Sequence, residues 1–187
     1  MINDTLQAIF DRRSIRRFEP MPLTEEQIDM LVEVALASPS GMNRQPWFFH
    51  FITDPEKIEA ISEAALEYFH RQGNKAVLER MASRHKSLFY GAPLVIIISL
   101  PKDLDSQIDA GIAVENLAIA AQSMGLGSCI IGLAEASFAG SQAETCARMI
   151  ELPDSHEFAI SIAIGRAAIS KEAHERHPEK VIRIRTD

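Results

Sequence analysis

Apolar residues recur along the chain at two spacings, helical and strand-like. Leu6, Ile9 and Phe10 repeat at helical spacing and predict a short helix that ends at the arginines that follow. Pro20 and Pro22 then interrupt regular structure. Thr24 with Gln27 has the form of a capping box, and Ile28, Leu31, Val32, Ala35 and Leu36 continue at helical spacing. Residues 38–46 are rich in turn formers and read as a loop. Residues 47–53 (WFFHFIT) are aromatic and apolar enough for a buried strand. Asp54-Pro55 opens another helix, through Ile58, Ile61, Ala65 and Phe69. The pattern breaks at 72–74, and 75–85 reads as a polar-faced helix. Pro93 precedes Leu94-Val95-Ile96-Ile97-Ile98, a β-branched run that predicts a buried strand.

Residues 105–124 form the most telling segment. Ile108, Ile112, Val114, Leu117, Ile119 and Met124 make it apolar nearly all round, which predicts a buried helix. Its small residues (Ala110, Gly111, Ala113, Ala118, Ala120 and Ala121) allow a second helix to approach closely, so a central or inter-subunit position is expected. Gly125 suits the left-handed cap of that helix. Residues 128–131 read as a short strand, 139–150 as a helix, and 158–164 (FAISIAI) as a core strand. Beyond Gly165 the chain turns polar until Val181-Ile182-Arg183-Ile184, whose alternation suits an edge strand, on this chain or on a partner subunit. Helices and strands mix without a βαβ rhythm, which favours an α+β fold in one domain spanning 1–187, with 166–187 as a tail.

Composition narrows the function classes. The chain has 187 residues and a formal net charge of −7, which argues against general nucleic-acid binding. The longest apolar run, near Leu94, is far too short to cross a bilayer, so no membrane association is expected. No basic start followed by an apolar run is visible at the amino terminus. Two cysteines, Cys129 and Cys146, lack metal-ligand spacing and point to a reducing, cytoplasmic setting. His174 and His177 stand in a polar tail without a third ligand, so no metal site is expected.

Against this acidic background, four arginines crowd into Arg12-Arg13-Ser14-Ile15-Arg16-Arg17. Such a run is often a solvated face. It also suits a phosphate, since the guanidinium fork and the Ser14 hydroxyl match phosphate oxygens. In the loop, Asn43 and Gln45 each offer a donor and an acceptor, either to the edge of a polar ring system or to the loop's own backbone. Gly125, Gly127 and Gly132 follow a helix and precede a strand, the reverse of the dinucleotide-binding turn. They serve as a cap and turn, and they would also let backbone approach a flat ring.

The segments RRSIRRF, PSGMNRQPW, YGAPLVIII and DAGIAVENLAIAAQSMGLGSCIIG, in this order, resemble elements of the nitroreductase family of FMN-dependent oxidoreductases. The resemblance runs from about Leu6 to Gly165 and is weaker in the tail. It implies an α+β fold with a central, mainly antiparallel sheet flanked by helices, in an intertwined homodimer. FMN would lie at the subunit interface, with NADH or NADPH as electron donor and a small nitroaromatic or quinone as acceptor. It places Arg12, Arg13, Ser14 and Arg16 at the phosphate and pyrimidine end of FMN. It places Ser40, Asn43 and Gln45 at the ring and ribityl chain, and backbone of Ile131 and Gly132 near the ring. Arg176 matches a basic residue that reaches the phosphate, and 69–89 is the expected cover of the substrate pocket. No side chain is implied as an obligatory acid or base. Gly41, where the family has a serine, and Arg166-Ala167, where it has an aromatic residue and proline, depart from the pattern. A non-catalytic FMN-binding carrier, sensor or electron relay, and a flavin enzyme with another reaction such as dehalogenation, are the competing readings.

Overall fold

The computed structural model describes residues 2–83 and 87–185. Helix α1 (Asp4–Asp11) starts at Asn3, whose side chain accepts from the Leu6 N–H at 3.0 Å. Helix α2 (Glu25–Leu36) carries both halves of the expected capping box between Thr24 and Gln27. Asp54 caps α3 (Pro55–Arg71), with proline at its first turn. Helix α4 (Lys75–Ala82) follows; the rest of the expected helix falls partly on 84–86, which lie outside the described residues. Helix α5 (Gln107–Ser123) matches the expected central helix, and Gly125 caps it at φ +73°. The expected helix over 139–150 starts late: only Ala143–Met149 (α6) is α-helical, and a 3-10 helix, Leu133–Phe138, lies before it. Gly140 stands between the two. It lies against the Tyr68 ring, where a Cβ would come within 3.2 Å of Cδ2.

Four strands, β1 (Phe48–Ile52), β2 (Leu94–Pro101), β3 (Gly127–Ile131) and β4 (His156–Gly165), form one antiparallel sheet in the order β1-β2-β4-β3. Strand β2 lies inside the sheet and is covered on both faces. Val95 and Ile97 pack toward α3, while Leu94, Ile96 and Ile98 pack with Leu31 of α2 and Leu117 of α5. This two-sided burial explains why β2 reads as a continuous apolar run rather than an alternation. Strand β1 corrects an expectation. It is an edge strand rather than a buried one: Ile52 is buried, Phe48 is exposed, and Trp47 just before the strand supplies the buried ring. An aromatic edge strand and a buried one have the same local composition, so the order of strands decides it.

The tail leaves β4 past Ala168, whose N–H donates to the Arg17 carbonyl at 3.0 Å. Residues 181–185 join no strand of this chain, and Ile182 and Ile184 stand 86% and 95% exposed. The alternation foreseen there is present, but the sheet of the same chain does not take it up. No described helix is long and apolar enough to cross a membrane.

Candidate functional site

The arginine segment is strapped to the sheet. Past the end of α1, the Ile15 N–H donates to the Ser128 carbonyl at 2.8 Å and the Glu19 N–H to the Arg166 carbonyl at 2.9 Å. Ser14 thereby bridges Ser128 of β3 in parallel sense, and Phe18 bridges Ala167. Ile15 and Phe18 turn inward and are buried, so their neighbours Arg12, Arg13, Ser14 and Arg16 are left half-buried along the free edge of β3. Gly127 is required for this seat, because a Cβ there would stand 2.9 Å from Cγ1 of Ile15.

The guanidinium groups are only partly used inside the chain. Arg13 Nη1 donates to the carbonyls of Phe10 at 2.7 Å and Arg12 at 2.8 Å, satisfying orphan acceptors at the end of α1. Arg12 Nε lies 3.1 Å from Oε1 of Glu115 on α5, an ion pair without hydrogen-bond alignment. The Nε atoms of both Arg12 and Arg13 are buried and have no hydrogen-bond partner. Buried donors left this way are uncommon and costly. A concavity of about 260 Å³ opens beside them, walled on one side by Arg12, Arg13 and Ser14 and on the other by tail residues Lys171, Glu172 and His174. Arg176 does not line that concavity; its guanidinium stands 5.0 Å above the Phe10 ring of α1. The donor set fits a phosphate-sized anion.

Strand β3 leads away from this anion end. Four residues separate Ser128 from Gly132, about 14 Å at the usual strand rise. Ile131 is buried, and its carbonyl accepts from the buried Ser161 hydroxyl at 2.7 Å. Gly132 has an ordinary φ of −78°, and a Cβ there would meet nothing closer than Ile160 Cδ1 at 3.8 Å. Nothing within the chain therefore requires glycine at the exposed end of β3.

The loop before β1 is held in an unusual shape. Met42, Asn43 and Gln45 have φ of 54°, 54° and 46°, the left-handed region that such residues rarely adopt. The Ser40 hydroxyl accepts from the Gln45 N–H at 2.9 Å, and Gln45 Nε2 donates to Asn43 Oδ1 at 2.9 Å. The Gly41 N–H donates to Asp109 Oδ1 at 3.0 Å, fastening the loop to the start of α5. Asp109 and Glu115 are six residues apart on α5, so the loop and Arg12 hold that helix about 9 Å apart along its axis, on different sides. Ser40, Asn43 and Gln45 do not line the concavity at the arginines. One chain thus brings together Arg12, Arg13 and Ser14 at the concavity, which neither Arg16, Arg176 nor the loop residues line. Arg166, one of the departures from the family pattern, is exposed and lies 3.8 Å from Glu19.

Sequence reasoning missed Asp109, Glu115, Lys171 and Glu172, and weighed His174 only as a metal ligand. The first two are ordinary helix-surface carboxylates by pattern, and the tail residues carry no periodic signal. Only the long-range path of the chain gives them their positions.

The fold and this cluster define an α+β protein with a cationic cluster along its edge strand. Residues 9–166 match the Nitroreductase family, and the chain belongs to that family. It is 30% identical over 186 residues to the FMN reductase (NADPH) of Bacillus subtilis, covering 97% of this chain and 73% of that protein. It is 28% identical over 190 residues to the NADPH-flavin oxidoreductase of Vibrio harveyi, again covering 97% of this chain and 73% of the relative. Among solved structures, a nitroreductase with bound FMN from Desulfitobacterium hafniense superposes with a TM-score of 0.94. It is 29% identical to this chain, and the match covers 99% of this chain and 100% of that one.

Proposed function

We propose that this chain is an FMN-dependent oxidoreductase that takes electrons from NADH or NADPH and passes them to a small organic acceptor of nitroaromatic or quinone type. The cluster of Arg12, Arg13 and Ser14 on one concavity carries the reading, because Arg13 Nε is buried without a hydrogen-bond partner and Arg12 Nε has only its ion pair with Glu115. The open backbone at Gly132 supports it from the other end of β3. The family and its FMN-bound and NADPH-using relatives agree with that chemistry.

Bound FMN supplies the redox chemistry, taking hydride from the nicotinamide and giving electrons to the acceptor. The chain positions it. Arg12, Arg13, Ser14, Arg16 and Arg176 hold the phosphate end by charge-assisted hydrogen bonds. Ile131 and Gly132 bring backbone against the ring, with Ser161 fixing the Ile131 carbonyl. Ser40, Asn43 and Gln45 reach the ring and ribityl chain of the site in a second subunit, since within their own chain they stand apart from the arginines. Ile108 on α5, 79% exposed, and the exposed apolar tail residues fit a homodimer in which 166–187 packs on the partner. The whole of 1–187 acts as one domain. The sparse cysteine usage, two in 187 residues, suits the cytoplasm. Donor and acceptor use the same ring face in turn, giving ping-pong kinetics.

An anaerobic visible spectrum tests this. Purified protein should show a flavin band that bleaches with NADH or NADPH and returns on adding a nitroaromatic or a quinone. A flavin band that neither donor bleaches would point to a non-catalytic flavoprotein, and protein that takes up no FMN would remove the assignment.

A further inference from the structure

Helix α5 grips the loop before β1 at two points. Asp109 Oδ1 accepts from the Gly41 N–H at 3.0 Å, and Asn116 Nδ2 donates to the Ser38 hydroxyl at 3.1 Å. Ser38 is buried and donates to the Val34 carbonyl at 3.3 Å, which ties that end to α2 as well. Asp109 and Asn116 are seven residues apart, which puts them on one face of the helix, about 10 Å apart along its axis. Three residues of extended chain reach about the same distance. Ser40 is accordingly extended, at φ −140° and ψ 158°. The stretch 38–41 is drawn out along α5, and the chain turns only after its second anchor. There Met42, Asn43 and Gln45 take left-handed φ values while exposed, so core packing does not impose their shape. Such residues keep that conformation only where other bonds dictate it.

We propose that Asp109 is a positioning residue for the cofactor: by holding the Gly41 N–H it fixes the turn that presents Asn43 and Gln45 to the polar edge of the flavin ring. This inference rests on the FMN reading above, in which those loop residues serve the site. The bond from Gln45 Nε2 to Asn43 Oδ1 uses one half of each amide. It leaves Asn43 Nδ2 as a donor and Gln45 Oε1 as an acceptor, each without a partner among the described residues. The two amides are thereby joined as one unit, and the setting of that unit depends on the turn beneath it. Asp109 touches no cofactor. It acts on the fraction of chains whose loop has the binding shape, and apparent affinity scales with that fraction. The same carboxylate lies in the first turn of α5, where it also favours the helix dipole. That second role is purely structural and predicts a different set of variants.

The test uses the full chain, stripped of flavin and titrated with FMN and with riboflavin, which lacks the phosphate. Asp109→Ala should weaken both about three- to tenfold, the scale of one hydrogen bond to a partly exposed carboxylate. The ratio of the two affinities should keep its native value, because the change lies at the ring and not at the phosphate. Asp109→Asn keeps an acceptor for the Gly41 N–H and should return both affinities to within about twofold of native. Asp109→Glu keeps the charge but moves the acceptor by one methylene, and should bind both flavins less tightly than Asp109→Asn. The last two variants carry the comparison if Asp109→Ala does not fold. A carboxylate that serves only the helix dipole reverses that order, with Glu near native and Asn impaired in thermal unfolding, and this result would overturn the proposal. So would unchanged affinities in all variants, or a loss confined to FMN, and each leaves the FMN assignment standing. A native chain that binds neither flavin would end both.

Discussion

The backbone N–H of Ile15 donates to the carbonyl of Ser128 at 2.8 Å. That bond lays the arginine segment along the edge of β3, so the cationic residues meet a strand whose far end is the open Gly132. Ile15 also fills the space above Gly127, which locks the register of the segment on the strand.

Arg12→Ala should weaken FMN binding by roughly ten- to a hundredfold, the scale of a lost charge-assisted hydrogen bond or two. Its pair with Glu115 is partly solvent-exposed, so the melting temperature of the flavin-free protein should change by only a few degrees. Flavin fluorescence titration and thermal unfolding check both. A variant that unfolds yet retains FMN when folded would assign Arg12 to stability instead.

Gly132→Ala and Gly127→Ala should separate binding from folding. At 132 the added methyl meets only Ile160 Cδ1, at an ordinary contact distance of 3.8 Å, so stability should stay within about 0.5 kcal/mol while flavin affinity and turnover fall. At 127 the methyl is driven into Ile15, and about 1–3 kcal/mol of stability should be lost. Denaturant unfolding of the two flavin-free variants makes the comparison.

Ser161→Ala removes the hydroxyl that donates to the Ile131 carbonyl and leaves a buried acceptor unpaired. A loss of about 1–3 kcal/mol is expected. The reduction potential of the bound flavin should shift as well, because the carbonyl sits one residue from Gly132. An unchanged potential would limit Ser161 to stability.

His50 should make stability fall in acid. Burial is the main cause that holds its pKa below the ordinary histidine value, assisted by nearby His156 and opposed by the bond to Ile150 and by Glu151. Its Nδ1 lies 2.7 Å from the Ile150 carbonyl, so that nitrogen is the donor, and Nε2 at 2.9 Å accepts from the Ser99 hydroxyl. The unfolded chain takes up the proton first as the pH falls. The contribution is therefore complete above about pH 6.5 and is lost as the pH drops through the lower folded value. The stability advantage of the native protein over His50→Gln should shrink between pH 8 and pH 5, measured as denaturant midpoints.

Local signals in this chain are legible where the chain's own neighbours decide the outcome. Asn3, Thr24-Gln27, Asp54-Pro55 and Gly125 mark helix ends by short-range bonding, and each is found where its chemistry places it. The apolar run of β2 is legible because burial on both faces leaves no alternation to misread. Strand β1 is not, since only the sheet order makes it an edge. The late start of the helix expected over 139–150 is tied to Gly140 against Tyr68, some seventy residues away in sequence. The arginine cluster and Arg176 announce an anion by composition. The concavity that Arg12 and Arg13 share with the tail does not announce itself, because it is assembled by the path of the tail. The loop residues Asn43 and Gln45 bond each other, so their side chains are engaged before any ligand arrives.

Ile108 and Ile112 on α5, and Ile182 and Ile184 in the tail, keep broad apolar surface in water when the chain stands alone. Part of its hydrophobic burial is thereby withheld from unimolecular collapse. In the proposed homodimer, completing it would be a second-order step, so recovery of activity on refolding should rise with chain concentration before it levels off. Dilution alone should then be a denaturant for this protein.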